Sequence, residues 1–285
     1  MPLPLPDVTL CAVTAINHEL TVRAMNKCLE HCSFADVVLI SSEPVKAPFR
    51  VEVVPPFTGI DYAPIVCRDL AKYTPSNFNL LVQYDSFIVE PSAWTNEFLN
   101  YDYIGAKWPW QPAGKRVGNS GFSLRSKKLL NITAEMPLPP TGQYVDDTFI
   151  CHTARDYLEK THAIKIAPEE VADKFSYERH KPDQPTFGFH GIFNFWRHMD
   201  DVEMEEILPM LDVLYVPSRA YAEVVFYYHA TRKFRVFHVW YKRLREQIGI
   251  EQMRNHLLQY LKDASFIDEL IKSGEHLYSK KSAIN

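Results

Sequence analysis

The chain has 285 residues, 46% of them hydrophobic and 23% charged, which is the balance of one large globular domain or of one domain with an appendage. A formal net charge of −4 excludes a surface given over as a whole to nucleic acid. No apolar run approaches the ~18 residues of a membrane-spanning helix, and the opening MPLPLPDVTL lacks the basic and apolar regions of a secretory signal.

Read in order, residues 8–13 (VTLCAV) predict a buried first strand, and residues 19–31 a helix after a polar loop at 14–18. Residues 35–41 and 51–54 predict two further strands, and residues 60–72 a helix carrying Arg68 and Asp69. Residues 80–89 (LLVQYDSFIV) predict a fourth strand. Apolar runs this continuous suit strands covered on both faces, so the expected fold is α/β, with a mostly parallel central sheet flanked by helices.

A helix is expected at 92–100 and a strand at 101–106. The loop 107–115 (KWPWQPAGK) is expected to expose Trp108 and Trp110. Residues 117–124 (VGNSGFSL) predict a strand broken by Gly118 and Gly121, a pattern of bulges or of close backbone approach. A helix starts at 126, a Pro-rich loop follows at 136–142, and residues 146–160 predict a helix with an acidic first turn. Residues 164–167 predict a strand, and 187–196 (FGFHGIFNFW) an aromatic loop or strand.

From about residue 199 the character changes. The stretches 200–216, 219–232, 234–247, 251–262 and 265–279 have helical periodicity and hardly any glycine. The chain is therefore expected to divide into a domain at 1–199 and a C-terminal helical region at 200–285. A basic run within that region, with Lys233, Arg235, Lys242, Arg243 and Arg245, is either the solvated face of a helix pair or a surface for an anionic membrane, a lipid-linked substrate or a partner protein. The five cysteines are scattered and odd in number. Cys28 and Cys32 stand four apart with no second pair to complete a metal site, so all are expected to be reduced and mostly buried, as in a cytoplasmic protein.

Four features carry chemistry. Asp85 is a carboxylate amid apolar strand residues, where burial is costly unless it is paired or binds a cation; otherwise it caps a turn. Asn119, Ser120 and Gly121 lie in the glycine-broken strand. Asp146 and Asp147 open a helix, either as acid–base groups or as complements to its dipole. His190 stands among aromatic residues, as a ligand or as a satisfied core residue. Together, Asp85 and His190 supply donors that Mn²⁺ accepts, and an acid of the pair is placed to act as a base on a hydroxyl.

This set resembles the GT-A glycosyltransferases, which take a sugar from a nucleotide-sugar donor. Gln83-Tyr84-Asp85 is similar to their D-x-D motif with the first acid replaced. The order of DSF, YDYIGAKW, GNSGFSLRS, the acidic pair, FS-x-E and FGFHG is similar to a bacterial and viral family described mainly as a domain of unknown function. The resemblance covers residues 8–196 and implies a GT-A-like (Rossmann-like) fold and these roles. Thr14, Ala15, Ser41, Arg68, Gln83, Asp85, Asn119, Ser120 and Gly121 would bind the donor, a UDP-sugar being favoured. Asp85 and His190 would hold Mn²⁺ or Mg²⁺. Asp147 would be the base of an inverting transfer, and Asp146 would orient the acceptor. Trp108 and Trp110 would stack on a glycan or lipid-linked acceptor. The Gln83 departure leaves open a metal-independent transfer with Lys107 or Arg116 on the phosphates. The expected setting is polysaccharide or glycoconjugate assembly in the cytoplasm, peripheral to the inner face of a membrane, with the C-terminal helices as a membrane or homodimer contact. A nucleotidyltransferase is disfavoured by the lack of a Gly-rich loop after the first strand; a non-catalytic binding protein on the same fold is the other alternative.

Overall fold

The computed structural model of the protein describes residues 1–282, with side chains to 279. The chain forms two compact units, Met1–His190 and a second that begins at Gly191.

The first unit is built on a six-stranded sheet. Its strands are β1 (Leu3–Thr14), β2 (Cys32–Ser41), β3 (Arg50–Val53), β4 (Phe78–Val82), β6 (Tyr103–Ile104) and β7 (Phe122–Ser126), in the order β3-β2-β1-β4-β7-β6. The ladders from β3 to β4 are parallel, and β7 runs antiparallel to both neighbours. The expected mostly parallel α/β sheet is thus present, with one reversed strand. Leu10, Cys11 and Ala12 on β1 and Leu80, Leu81 and Val82 on β4 are fully buried, which explains why these strands read as unbroken apolar runs rather than alternating ones.

The chain leaves β1 toward β2 on one side and returns to β4 on the other. Strand order therefore reverses between β1 and β4, and ligands of such sheets sit outside the carboxyl ends at that point. Here those ends are Thr14 and Val82, with Ala12 opposite Val82.

The single strand expected at 80–89 is in fact two. β4 stops at Val82, and Ser86–Ile88 (β5) joins a separate three-stranded sheet with Ser176–Tyr177 (β8) and Gly188–His190 (β9), in the order β5-β9-β8. The polar residues between them break the run. Gln83 N–H donates to Gly121 O (3.0 Å) and to Ser86 Oγ (2.9 Å), and Ser86 Oγ–H donates to Gly121 O (2.5 Å), so the chain turns at Gln83, Tyr84 and Asp85.

Other boundaries moved for local reasons. The helix expected at 92–100 is two 3₁₀ turns, Pro91–Ala93 and Asn96–Asn100, each started by its own side-chain cap, Glu90 and Thr95. Residues 164–167 contribute only the bridge between Tyr103 and Ile166. The helices expected at 60–72 and 146–160 are each interrupted by a π-turn, Ile65–Asp69 and Phe149–Thr153. Cys67 and Cys151 of these turns pack into one apolar cluster with Tyr103, Leu129 and Leu158. All five cysteines are free and buried, as expected.

The second unit is helical: Asp201–Ile207, Arg219–Ala230, Phe234–Ile248, Ile250–Tyr260 and Ala264–Ser282. Trp240 is its largest buried side chain, with Nε1–H donating to Met204 O (3.2 Å) and Tyr221 O–H donating to the Trp240 carbonyl (3.0 Å). The basic run is neutralised within the unit. Lys233 pairs with Asp201 (2.7 Å), Arg235 with Glu205 (2.6 Å), Lys242 with Glu246 (3.8 Å) and Arg245 with Glu275 (2.8 Å), while Arg243 donates to the Leu208 and Leu211 carbonyls. Of the two readings of this run, these pairs fit the face of a helix packing. No helix among the described residues is long and apolar enough to cross a membrane.

His229 is buried in this unit, with Nε2 3.1 Å from Ser273 Oγ and its ring between Phe234, Phe237 and Phe266. Burial lowers its pKa below the ordinary 6.5 and outweighs the opposing charge of Glu269. The folded state therefore holds it neutral while the unfolded chain takes up a proton near 6.5, so its contribution to stability is whole above that pH and lost as pH falls below it. His152 and His256 shift the same way. Measured against wild type, the thermal midpoint of His229→Gln should improve as pH falls from about 7.5 to about 5.5, because only the wild type loses this contribution.

Candidate active site

The site is assembled on the turn at residues 118–121, immediately before β7. The fit is tight enough to demand glycine. A Cβ at Gly118 would lie 2.2 Å from the Trp108 ring, one at Gly121 would lie 2.0 Å from the His190 ring, and one at Gly105 would lie 1.8 Å from the Gly118 carbonyl. Asn119 takes a left-handed φ of 67°, and Tyr103 O–H donates to its carbonyl (2.9 Å). The strand expected at 117–124 therefore begins only at Phe122, because the first half is this turn.

Trp108, expected to be exposed, is buried beneath the turn at 8% exposure. It stacks between Trp110 (centroids 6.4 Å apart) and His152 (5.6 Å), so of the two tryptophans only Trp110, at 56%, offers an open face. Trp108 fills the space that Gly118 leaves and supports Trp110 from below.

On one side the turn meets His190. Asn119 Nδ2 lies 3.0 Å from Nδ1 of that ring. Nε2 faces Gln83 Oε1 at 3.3 Å and Asp85 Oδ1 at 3.4 Å, and Glu178 Oε1 lies 3.4 Å from Nδ1. Strand pairing explains the meeting, since β5 and β9 are antiparallel with Ser86 opposite His190. Burial alone would lower the His190 pKa, but the charge of Asp85 and hydrogen bonds to Asp85 and Glu178 prevail and push it up to about 10.

Asp85 is buried, and its Oδ1 is the ion-pair partner of the protonated His190 ring. A carboxylate beside an imidazole is a donor set that a divalent cation such as Mg²⁺ or Mn²⁺ accepts once the ring has given up its proton. Among the described residues no group of three or more His, Cys, Asp or Glu side chains is arranged to hold a metal.

On its other side the turn meets the acidic pair. Ser120 N–H donates to Asp147 Oδ2 (3.0 Å), and Ser120 Oγ–H donates to Asp146 Oδ2 (2.6 Å). Arg125 Nη2 donates to that same Asp146 oxygen (2.7 Å) and to Ser120 Oγ (3.0 Å), and Arg125 Nε donates to Ser123 Oγ (3.0 Å). Arg125 and Asp146 both have 0% side-chain exposure. Asp146 consequently does not face an acceptor, as the sequence suggested, but is the counter-ion of a buried arginine. Arg125 escaped the sequence reading; its signal was a lone arginine in the apolar strand FSLRS.

Asp147 is the acid left over. Its Oδ1 accepts the Thr148 N–H (2.6 Å), while burial and the neighbouring charge of Asp146 push its pKa up to about 6.

At the strand-order reversal lies a cavity of about 280 Å³. The expected donor residues Thr14, Ala15 and Gln83 line it, together with Phe57, Tyr62 and Tyr84, which sequence reasoning did not single out. Two other expected donor residues do not line it: Ser41 is fully buried at the end of β2, and Arg68 is exposed on its π-turn. Lys107 pairs with Asp173 (2.5 Å) and Arg116 with Glu169 (3.5 Å), so the cations suggested for metal-free phosphate binding already have carboxylate partners.

Residues 70–190 match the family described as "Protein of unknown function (DUF5672)", and this stretch holds every group hung on the turn. No curated protein matches the chain in sequence. Among solved structures it is similar to a glycosyltransferase involved in the glycosylation of the major capsid of PBCV-1, at 13% identity and a TM-score of 0.39, over 72% of this chain and 99% of that one.

The two adjacent acids should respond to neutralisation with opposite signs. Asp146→Asn strands a buried guanidinium and should cost about 3–5 kcal/mol. Asp147 has a raised folded pKa, so its ionised form costs stability as pH rises from 3.8 through about 6. Asp147→Asn should raise the thermal midpoint at neutral pH and have little effect near pH 4, as read by melts across about pH 4–8.

Proposed function

We propose that the protein is a glycosyltransferase that moves a sugar from a nucleoside-diphosphate sugar to a hydroxyl of a glycan or lipid-linked acceptor, with inversion at the anomeric carbon. The observation that carries this reading is the turn at 118–121. Its Asn119 reaches the Asp85–His190 pair and its Ser120 reaches Asp147, so a cation-accepting pair and a tuned carboxylate are held by consecutive residues beside the cavity at the strand-order reversal.

In this reading the cavity takes the nucleoside, with Phe57, Tyr62 and Tyr84 offering aromatic faces and Thr14, Thr21 and Gln83 offering polar groups. UDP is the first nucleotide to test. Asp85 and His190 would hold Mn²⁺ or Mg²⁺, which when bound neutralises charge on the diphosphate leaving group. Asp147 takes the proton of the acceptor hydroxyl. The hydroxyl oxygen bonds to the anomeric carbon as the carbon–oxygen bond to phosphate breaks, and that electron pair leaves with the nucleoside diphosphate. A carboxylate with its pKa near 6 is ionised at neutral pH yet more basic than an ordinary aspartate, which suits a general base. Asp146 and Arg125 hold Ser120 and stay out of the reaction. Trp110, stacked on Trp108, presents an apolar face suited to the acceptor sugar.

Calorimetric titration with UDP, GDP, CDP and ADP, each with Mn²⁺ and with EDTA, tests donor class and metal dependence together. One diphosphate should bind and weaken in EDTA, and Asp85→Asn should reproduce the EDTA result. Asp147→Asn should keep wild-type donor affinity and lower transfer by roughly 10²–10⁴-fold. Absence of binding to the whole panel would overturn the reading.

A further inference from the structure

The mouth of the cavity is apolar. Of the large hydrophobic side chains left exposed in the first unit, Ile16 (45%) lines the cavity, and Ile60 (63%) adjoins Gly59, which also lines it. Val145 (57%) stands immediately before the acidic pair. The fold brings the last two together. Ile60 belongs to the short turn Gly59–Asp61 and leads into Tyr62–Pro64, which packs on Asp146–Thr148, the turn that Val145 opens. Gly142, just ahead of Val145, lies against Ile60, so that a Cβ there would stand 3.9 Å from the Ile60 side chain. Ile60 and Val145 therefore form a rim between the cavity, which Tyr62 lines, and Asp147.

A cation stands beside this rim. Arg68 is exposed on the π-turn that follows Tyr62–Pro64, and among the described residues it pairs with no carboxylate. Its neighbour Asp69 is taken by Lys72 (2.5 Å), and Asp61 is turned back to accept from the N–H and O–H of Thr58 (2.9 Å each). Burial pushes the Tyr144 hydroxyl up to about 12 against the opposing charge of Arg68, which puts that guanidinium close to the residue next to Val145. Contiguous exposed apolar side chains mark a binding surface, and an uncommitted guanidinium at their edge suits a phosphate. A ligand that satisfies both is amphipathic, with an apolar chain and an anionic link.

We infer that the acceptor is lipid-linked: its chain rests on Ile60 and Val145, the phosphate joining chain to sugar meets Arg68, and the sugar hydroxyl reaches Asp147. The inference rests on the glycosyltransferase reading proposed above, within which it selects a lipid-linked acceptor over a free glycan. A free neutral glycan would leave both the rim and the cation without partners.

The test is calorimetric titration of the full chain with decyl phosphate below its micellar range, beside decanol and inorganic phosphate, and it needs no turnover. The wild type should bind decyl phosphate and bind the two controls more weakly. Arg68→Gln should weaken decyl phosphate roughly tenfold and leave decanol unchanged. Ile60→Ser combined with Val145→Ser should weaken it by roughly tenfold or more. All three side chains are exposed, so the variants should melt with the wild type, and their nucleotide affinity should be unchanged because none of the three lines the cavity. No binding of decyl phosphate, equal binding of either control, or wild-type affinity in the variants would overturn the inference and leave the glycosyltransferase reading standing. Sedimentation velocity accompanies the titration: a dimer that Ile60→Ser dissolves would make the rim an interface between copies and overturn the inference in the same way. A protein that binds decyl phosphate but no nucleotide of the panel would overturn the glycosyltransferase reading and the acceptor role with it.

Discussion

The constraint on which the site depends is the close packing of the turn at residues 118–121. Three glycines, Gly105, Gly118 and Gly121, leave out the Cβ atoms that would collide with backbone, with Trp108 and with His190. In the space they vacate, Asn119 and Ser120 reach in opposite directions, one to the imidazole and the other to the acidic pair. The groups of the site come from strands of two different sheets and from a helix start far along the chain. They share a geometry because they share this turn, and reacting groups must be held to within a fraction of an ångström to be productive.

The Arg125–Asp146 pair gives the turn its rigidity. Burying both ions costs much of what their attraction returns, so such a pair is weak evidence for stability as such. Its geometry points to a different benefit. Asp146 Oδ2 accepts from both Arg125 and Ser120, which fixes the hydroxyl of the residue whose backbone N–H holds Asp147. Arg125 also compensates one of two adjacent carboxylates and leaves the other to feel burial and its neighbour's charge. Environments that push two neighbouring acids apart are the usual way in which one is kept as a fixed charge and the other as a proton acceptor.

Much of this was legible in the sequence where periodicity is the dominant signal. The apolar runs of β1, β2 and β4 and the helices Arg219–Ala230, Phe234–Ile248 and Ile250–Tyr260 lie within a few residues of where they were expected. What was not legible depends on partners distant in sequence. LLVQYDSFIV reads as one strand, because nothing local says that Ser86 and Gln83 will bond to Gly121 and break it. Trp108 in a Pro-rich loop reads as exposed, because the glycine that receives its ring is ten residues further on. Asp146 reads as an acceptor-orienting acid beside the base Asp147, because only the fold shows that it faces a buried arginine. Phe57, Tyr62 and Tyr84 were not singled out, because only the strand order places them around a cavity.

The division of the central strand has a consequence for function. Had residues 80–89 continued as one strand, Asp85 would have stayed within the main sheet, with no second sheet to bring His190 to it. The turn at Gln83, Tyr84 and Asp85 instead sends the chain into β5, and antiparallel pairing with β9 delivers the imidazole opposite Ser86. Parallel pairing of β9 with β8 then brings Glu178 to the far edge of the same ring. The small sheet buries Phe87, Ile88, Tyr177 and Phe189 in the core and flanks both nitrogens of one histidine, with Asp85 on one side and Glu178 and Asn119 on the other. A short strand pair is a stiffer mount for that task than a loop, because its register admits only discrete positions and a slip of one residue would turn His190 to the opposite face.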